Sequence, residues 1–367
     1  MLSLALLAFV LSLVATLWVR RLFQRWARGY DLDAPQRFHA GDTPRMGGMG
    51  MLLGWTLALA ALPLLQGIGM AGNIDGTRLH FSLWLLMLLP AFAGGVVEDL
   101  TQRLRVSSRM LLTLISGLLA WALLGVSVPQ LGFAWVDGLW GAWPGLGMAL
   151  AVLAVTGLPH AFNIIDGYNG LAGSVALVVC LALAHVALQV GDRELAAVAV
   201  TLAAATAGFL VWNYPRGLIF AGDAGAYLWG LLIAVLSLLL VQRHPIVSPW
   251  FPMLLLIYPV WETVFSMYRK LVRGVSPGMA DALHFHQLIY RRIVRRVLHG
   301  DAARRMLKRN NRTSPYLWAF TLLTVVPAVL FWSSTFILMA FCLLFIVSYV
   351  VAYLTIIRFK VPGWLQP

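Results

Sequence analysis

Charged residues are scarce in this chain. Asp, Glu, Lys and Arg make up 11% of its 367 residues, against about 25% in soluble domains, which excludes an ordinary soluble protein. The 60% hydrophobic content excludes a disordered chain. Cysteine is also rare: Cys180 and Cys342 are the only two, so a disulfide scaffold is excluded. Both lie in apolar runs, which predicts buried or lipid-facing thiols.

Long hydrophobic runs account for most of the sequence. A membrane-spanning helix needs roughly 20 mostly apolar residues, and the sequence predicts an all-α integral membrane protein with eleven spans. No internal repeat or soluble domain is evident, so residues 1–367 are interpreted as one membrane domain. The first run lacks a basic leading region and a convincing cleavage site, so we interpret it as a retained span instead of a secretory signal. The predicted spans are 1–19, 46–66, 80–97, 108–126, 144–162, 171–190, 195–212, 225–241, 250–268, 316–333 and 335–357.

Basic residues are distributed unevenly between the loops. All of the 27 except Arg78, Arg193 and Arg243 fall in alternate loops or the C-terminal tail. The positive-inside rule then predicts an N-terminus outside and a C-terminus in the cytoplasm. The longest cytoplasmic loop is predicted at 269–315. The net charge of +13 does not indicate nucleic acid, because the basic residues interleave with spans instead of forming one soluble face.

Three predicted cytoplasmic loops combine acidic or amide side chains with glycine. They contain the pair Glu98 and Asp99, then Asp166 within NIIDGYNGL, and then Asp223 within AGDAG. Taken alone, each motif has a structural alternative: a solvated acidic helix end, a Gly/Asn turn, and an Asp that caps a helix N-terminus. Together they place four carboxylates on one membrane face. Since magnesium prefers a few carboxylates plus substrate phosphates, the set predicts a phosphoryl-transfer site.

A histidine pair lies in the long basic loop. His284 and His286 are two residues apart and do not share a helix face, so they can converge only from an extended or loop segment. An interfacial pair is the structural alternative. Zinc is a poor fit because neither cysteine is near and no third ligand is evident. Contact with phosphate is the better functional hypothesis.

The first basic loop is predicted to end in a helix start. Thr43 is the expected N-cap and Pro44 the first helical residue. This structural role leaves Arg37, His39 and Arg45 available as phosphate contacts.

The order of these motifs resembles the polyprenyl-phosphate N-acetylhexosamine-1-phosphate transferases. Five motifs, from about Asp33 to Gln287, carry the resemblance: PQRFH with TPRMGG, ED, NIIDGYNGL, GDAG and HFH. It implies ten or eleven spans in a bacterial inner membrane, with the site facing the cytoplasm. It also implies a reaction: a UDP-amino sugar, GlcNAc by default, donates sugar 1-phosphate to undecaprenyl phosphate with magnesium, and UMP is released.

The resemblance also implies roles for individual residues. Glu98, Asp99, Asp166 and Asp223 fall on catalytic positions. Asp99 is expected to engage or deprotonate the lipid phosphate, and Asp223 to hold magnesium. Because a phosphate monoester has a second pKa near ~6, we expect Asp99 to act mainly by orientation. The residues implied to bind substrate are Arg45, Asn163, Asn169, Asn213, Phe220, His284 and His286, with Phe220 able to stack on uracil and the histidines near the donor diphosphate or sugar.

Three departures from the family pattern narrow the prediction. Glu98 stands where Asp is usual, so a base role for it is doubtful. Asn169 stands where Asp is frequent, and an amide can only orient a ligand. Gln287 replaces a further histidine that is associated with the muramoyl-pentapeptide branch. This favours an enzyme that initiates a surface polysaccharide, such as O antigen, over one of peptidoglycan synthesis.

A secondary transporter or lipid flippase is the alternative from another class. It would place charges near the bilayer midplane and have repeated halves, whereas here the acidic residues lie at one face. The expected partners are undecaprenyl phosphate, a UDP-amino sugar and membrane lipids, without nucleic acid. The particular sugar, the polysaccharide and the oligomeric state stay open, with a homodimer as one alternative.

Overall fold

The fold is helical throughout the part of the chain that the structure describes. The structure is a computed structural model, and it describes residues 1–25, 42–70, 74, 81–143, 145–276, 283–294 and 302–358. Every regular element within these ranges is a helix. In chain order the helices are α1 (Leu2–Phe23), α2 (Gly47–Ala60), α3 (Leu62–Gly67), α4 (Phe81–Thr101), α5 (Val106–Leu124), α6 (Ala134–Ala142), α7 (Gly145–Ile165), α8 (Leu171–Gln189), α9 (Arg193–Asn213), α10 (Gly222–Arg243), α11 (Trp250–Leu255), α12 (Ile257–Val272), α13 (Phe285–Leu288), a π-helix (Ile289–Ile293), α14 (Ala302–Leu330) and α15 (Thr335–Ile357).

Nine helices within the described ranges are long and apolar enough to cross a membrane: α1, α4, α5, α7, α8, α9, α10, α14 and α15. The prediction of an all-α membrane protein is therefore confirmed. The other two predicted spans, 46–66 and 250–268, are each divided into two shorter helices. Pro63 and Pro259 lie in the first turns of α3 and α12, where a missing N–H costs no helical hydrogen bond. The count of eleven spans and the orientation stay predictions.

Helix α10 is the most buried of the nine candidate membrane spans, and the site is built around its N-terminus. The apolar window of α10 is 94% buried, and α2, α4, α7 and α8 all pack against it. Close packing depends on Gly95 of α4, because a Cβ at this position would lie 2.5 Å from the backbone nitrogen of Ala224. The C-terminal end of α4, which carries Glu98 and Asp99, is thereby brought against the start of α10.

The predicted start of α2 is wrong. The helix begins at Gly47, so Thr43 is not its N-cap and Pro44 is not its first residue. The first helical N–H groups are satisfied from across the chain: Gly47 N–H donates to the carbonyl of Phe220 at 2.8 Å, and Gly48 N–H to that of Ala221 at 3.0 Å. These carbonyls replace the side-chain cap that the sequence predicted.

The loop predicted at 269–315 is shorter than expected. Helix α12 continues to Val272 and α14 begins at Ala302, well before the apolar run that starts at residue 316. The early part of α14 is rich in Arg, Lys, Met and Leu, which favour a helix but carry too much charge for a hydropathy criterion. Within the described part of this loop, α13 and the π-helix carry the histidine segment.

Candidate active site

Asp99 caps the N-terminus of α10. One carboxylate oxygen of Asp99 accepts a hydrogen bond from Asp223 N–H at 2.8 Å, and the other from Ala224 N–H at 3.0 Å. Asp99 is only 2% exposed. Gly222 has a φ of +74°, and a Cβ there would collide with the Arg45 carbonyl and the Asp99 carboxylate. The interpretation that Asp223 itself caps this helix is therefore wrong.

Asp223 accepts hydrogen bonds from three side chains of the site. One carboxylate oxygen of Asp223 accepts from Asn163 Nδ2 at 2.7 Å. The other accepts from Arg109 Nη1 at 2.8 Å and from the Tyr227 hydroxyl at 3.3 Å. Arg109 Nη1 also lies 3.9 Å from Glu98. The guanidinium thus bridges carboxylates that come from α4 and α10.

Asp166 completes the acidic group in the turn after α7. Its pKa is raised to about 7, mainly by burial and further by the negative charge of Asp223, while the positive charge of Arg45 opposes the shift. These interactions bring Asp166, Asp223 and Arg45 into one electrostatic environment. The prediction that the four carboxylates share one end of the bundle agrees with this geometry.

Asn213 joins two loops of the site. Its Oδ1 accepts from Gly170 N–H at 2.6 Å, and its Nδ2 donates to the carbonyl of Ile219 at 2.9 Å. Both polar ends of the amide are therefore used to connect the turn after α7 with the segment before α10. Contact between Asn213 and a nucleotide stays a prediction.

Asn169 is fixed by α14. Its backbone N–H donates to Asn310 Oδ1 at 2.8 Å, its Nδ2 donates to Asn311 Oδ1 at 2.9 Å, and its carbonyl accepts from the Ser314 hydroxyl at 2.6 Å. The side chain is 1% exposed. These contacts fix the loop against α14, and contact between Asn169 and a substrate stays a prediction.

Phe220 lies in the segment that precedes α10. Its backbone N–H donates to the carbonyl of Pro44 at 2.8 Å, and the residue is partly exposed. The proposed stacking of its ring on uracil stays a prediction. Arg37 and His39, which were also considered as phosphate contacts, lie outside the described residues.

The histidine pair reaches the turn that carries Asp166. His284, in extended backbone before α13, places Nδ1 3.0 Å from Glu262 Oε1. The His286 ring stacks on it at 5.3 Å between centroids and meets the Tyr168 ring edge-on at 5.5 Å. A Cβ at Gly167 would lie 3.2 Å from His286 Nε2. The two rings converge because His284 is in extended backbone and His286 is in α13, so the expectation of an extended or loop segment holds for His284 and is wrong for His286.

Two residues of the site were not singled out from the sequence. Arg109 entered the sequence analysis only as a basic loop residue, although it lies in the first turn of α5 and contacts two acids, Glu98 and Asp223. Glu262 lies within the predicted span 250–268 and was not considered as a site residue. The sequence could have indicated it, because an ionisable residue inside an apolar segment is by default a candidate functional residue.

Comparison with known proteins identifies the family. Residues 81–241 match the family described as glycosyl transferase family 4. The phospho-N-acetylmuramoyl-pentapeptide-transferase of Moorella thermoacetica is 30% identical over 261 residues, which are 66% of this chain and 76% of that protein. The chain belongs to glycosyl transferase family 4.

Other relatives of this family-4 chain are named for a different activity. A Bacillus subtilis protein named as a probable undecaprenyl-phosphate N-acetylglucosaminyl 1-phosphate transferase is 27% identical over 292 residues, 76% of this chain and 75% of that protein. The undecaprenyl-phosphate alpha-N-acetylglucosaminyl 1-phosphate transferase of Escherichia coli K12 is 27% identical over 275 residues, 71% and 69% of the two chains. The region matched to the family contains the four carboxylates and Arg109, whereas Arg45, His284 and His286 lie outside it.

A divalent cation fits this family-4 site only with help from a substrate. Within the described ranges, no group of three or more His, Cys, Asp or Glu side chains could hold a metal ion. Magnesium, however, commonly uses one or two carboxylates and completes its ligands with water and substrate phosphates. Asp223, with Asp166 in the same electrostatic environment, is suited to that arrangement.

Proposed function

We propose that this protein transfers an N-acetylhexosamine 1-phosphate, GlcNAc by default, from a UDP-sugar to undecaprenyl phosphate and releases UMP. We further propose that the reaction initiates a surface polysaccharide such as O antigen. The observation that carries the proposal is the placement of Asp223 between Asn163 and Arg109, with Asp99 beneath it, at the end of an apolar helical bundle. The activity for which the Bacillus and Escherichia relatives are named supports it.

The reaction is a direct displacement at phosphorus. An oxygen of the lipid phosphate attacks the β-phosphorus of the donor, and the bond from this phosphorus to the bridging oxygen breaks. That oxygen leaves with the electron pair as part of UMP. The lipid phosphate is already largely ionised at pH 7, because a phosphate monoester has a second pKa near ~6. Positioning and charge neutralisation are therefore the main tasks of the protein.

The residues of the site divide these tasks. Magnesium held by Asp223 would neutralise the charge of the donor diphosphate. Asn163 fixes the orientation of the Asp223 carboxylate by donating to one of its oxygens. Asp99 orients the same residue from below through its backbone N–H. Arg109 brings a positive charge to the place where two anionic phosphates must meet.

A donor-panel assay tests the proposal. The full-length protein in detergent would be supplied with undecaprenyl phosphate, magnesium and, in separate reactions, UDP-GlcNAc, a UDP-6-deoxy amino sugar or UDP-N-acetylmuramoyl-pentapeptide. We expect UMP from an amino sugar donor, no UMP without the lipid phosphate, and no UMP after chelation of magnesium. Asp223→Asn is expected to lower the rate about 100-fold or more, as the loss of a charge-stabilising group typically does.

Two results would contradict the proposal. UMP release from the muramoyl-pentapeptide donor alone would assign the protein to the activity named for its Moorella relative. No UMP from any donor, with transport of a lipid or solute instead, would favour the transporter or flippase alternative. The position of the carboxylates at helix ends does not favour that alternative, since transporters bind near the bilayer midplane.

A further inference from the structure

A fully buried carboxylate lies beneath the histidine segment. Glu262 of α12 is 0% exposed, and a buried charge is costly unless it is paired and hydrogen-bonded. Its Oε1 lies 3.0 Å from His284 Nδ1 and accepts from Phe285 N–H at 3.1 Å. Its Oε2 accepts from the Tyr349 hydroxyl at 2.8 Å. An ionised carboxylate can only accept hydrogen bonds, so with Glu262 ionised the proton of this contact is on His284 Nδ1.

The backbone before His284 is held by the same two helices. The Tyr353 hydroxyl of α15 donates to the carbonyl of Leu283 at 3.2 Å. Arg269 of α12 donates in turn to this hydroxyl at 2.7 Å, and its guanidinium lies 5.0 Å from the centre of the Tyr353 ring. Helices α12 and α15 thus fix the histidine segment on both sides of His284.

The orientation of His284 is transmitted towards Asp166. With Nδ1 donating to Glu262, Nε2 is the acceptor nitrogen of the His284 ring, because a partner on one nitrogen sets the tautomer of the other. The His286 ring is almost parallel to the His284 ring, with an interplanar angle of 10°. His286 in turn lies against Gly167, next to Asp166. A change at Glu262 would therefore displace both imidazoles.

We propose that Glu262 is a positioning residue for sugar-phosphate transfer. It fixes the tautomer and orientation of His284 and, through the stacked ring, the place of His286 beside the donor. Glu262 does not contact the substrate directly in this proposal, because its side chain is 0% exposed. This inference rests on the proposed function, because the assay measures the proposed sugar-phosphate transfer.

A double-mutant cycle tests whether Glu262 acts through His284. The variants are Glu262→Gln, His284→Ala and the combination of both, assayed for kcat and for the KM of the donor. Partners that orient an active histidine typically change activity about 10–100-fold, and we expect a loss in this range for Glu262→Gln. We expect the combined variant to be no slower than His284→Ala alone, because the group that Glu262 orients is already absent.

Two further variants separate positioning from folding. Tyr349→Phe removes one donor to Glu262 and leaves the His284 contact. We therefore expect a smaller loss of activity than for Glu262→Gln, and no additional loss when His284→Ala is already present. Glu194→Gln is the matched control. Glu194 is a buried glutamate that pairs with Arg243 at the opposite end of the bundle, and its substitution is expected to leave kcat and KM unchanged. Unfolding temperatures of all variants in detergent report on the fold.

Several outcomes would overturn the proposal. If the loss from Glu262→Gln persists in full when His284 is Ala, Glu262 supports the fold and not the histidine. The proposal also fails if Glu262→Gln keeps the wild-type rate, or if Tyr349→Phe slows both backgrounds equally.

A spectroscopic measurement keeps this inference distinct from the proposed function. In protein labelled with ¹⁵N-histidine, the Nδ1–H of His284 should give a hydrogen-bonded proton signal that is absent in His284→Ala and shifted in Glu262→Gln. This result does not depend on turnover. A wild type that releases no UMP but shows the signal would refute the proposed function alone. A signal that is unchanged in Glu262→Gln would refute the role of Glu262.

Discussion

Asp99 has both carboxylate oxygens occupied by backbone N–H groups of α10. We therefore expect Asp99→Asn to act through position instead of proton transfer. An asparagine offers one acceptor oxygen and turns an NH₂ group towards the second N–H, which typically costs about 1–3 kcal/mol. The UMP-release rate should fall, and raising the pH from 6.5 to 9 should not restore it. Recovery at high pH would instead indicate a base.

A matched control for Asp99 lies at the opposite end of the bundle. Asp137 also accepts two backbone hydrogen bonds, from Leu131 N–H at 2.6 Å and from Gly132 N–H at 3.1 Å. Asp137→Asn is expected to lower the unfolding temperature in a similar way while the rate per folded molecule stays unchanged. Equal losses of activity in both variants would mean that the effect at Asp99 is general destabilisation.

Asp166 predicts a pH dependence of its own. Burial and the charge of Asp223 raise its pKa to about 7, so the side chain is mostly neutral at pH 6 and mostly ionised at pH 8. If the ionised form faces the donor and its cation, kcat/KM should rise between these values. Asp166→Asn should remove that rise and leave the contribution of the lipid phosphate, which titrates near ~6. An identical pH profile in the variant would contradict this assignment.

At the scale of elements, the contact between α4 and α10 is the one on which the site depends. Gly95→Ala would place a Cβ against the backbone nitrogen of Ala224, and overpacking of this kind typically costs about 1–3 kcal/mol. We expect a lower unfolding temperature in detergent and a larger proportional loss of UMP release, because the displaced helix start carries Asp223 away from Asn163.

Gly157→Ala in α7 is the control for that substitution. A Cβ at Gly157 meets no atom within 4 Å, and alanine is favoured over glycine in a helix by about 1 kcal/mol. The variant should be as stable as the wild type or slightly more stable, with unchanged activity. If Gly95→Ala behaved in the same way, the close approach of α4 to α10 would not be what positions Asp223.

The elements that hydropathy predicts well are those whose neighbours are apolar throughout. Helix α15 has the same bounds as its predicted span, 335–357. The start of α2 was wrong because its first N–H groups are satisfied by carbonyls 173 residues away in the sequence, between Gly47 and Phe220. A cap of that kind depends on tertiary structure. Helix α14 begins early for a related reason, since its polar turns bind Asn169 instead of lipid.

The site was predictable to the extent that motifs name residue types. The four carboxylates and the histidines could be placed on one face from the order of the loops. The contacts of these side chains could not be predicted. Arg109 binds Asp223, and Glu262 binds His284, across more than 20 intervening residues. Likewise, the sequence allowed Asp223 to cap α10, and only the packing of α4 shows that Asp99 occupies that position.

Considered as a whole, the molecule has two polar ends that differ in chemistry. The acids of the candidate site lie at the end formed by the last turns of α4 and α7 and the first turn of α10. The opposite end carries a separate group, in which Arg243 and His244 contact Asp192 at 3.3 and 3.1 Å. Arg243 also pairs with Glu194, and Asp192 caps α9. The candidate site differs because Asp99 and Asp166 lie beside its Arg109–Asp223 pair, and this difference agrees with one reactive face.

Cysteine labelling in intact cells tests which face is cytoplasmic. The native thiols make a low background, because Cys180 and Cys342 are 0% and 5% exposed. We expect Ile246→Cys, which is exposed beyond the end of α10, to react with a membrane-impermeant maleimide in intact cells. Lys308→Cys, exposed on the first turns of α14, should react only after permeabilisation. The physical reason is the positive-inside rule, which keeps the basic start of α14 in the cytoplasm. A charged UDP-sugar cannot cross lipid, and it is available on that side of the membrane. The reverse labelling pattern would place the carboxylates outside and remove the donor from their reach.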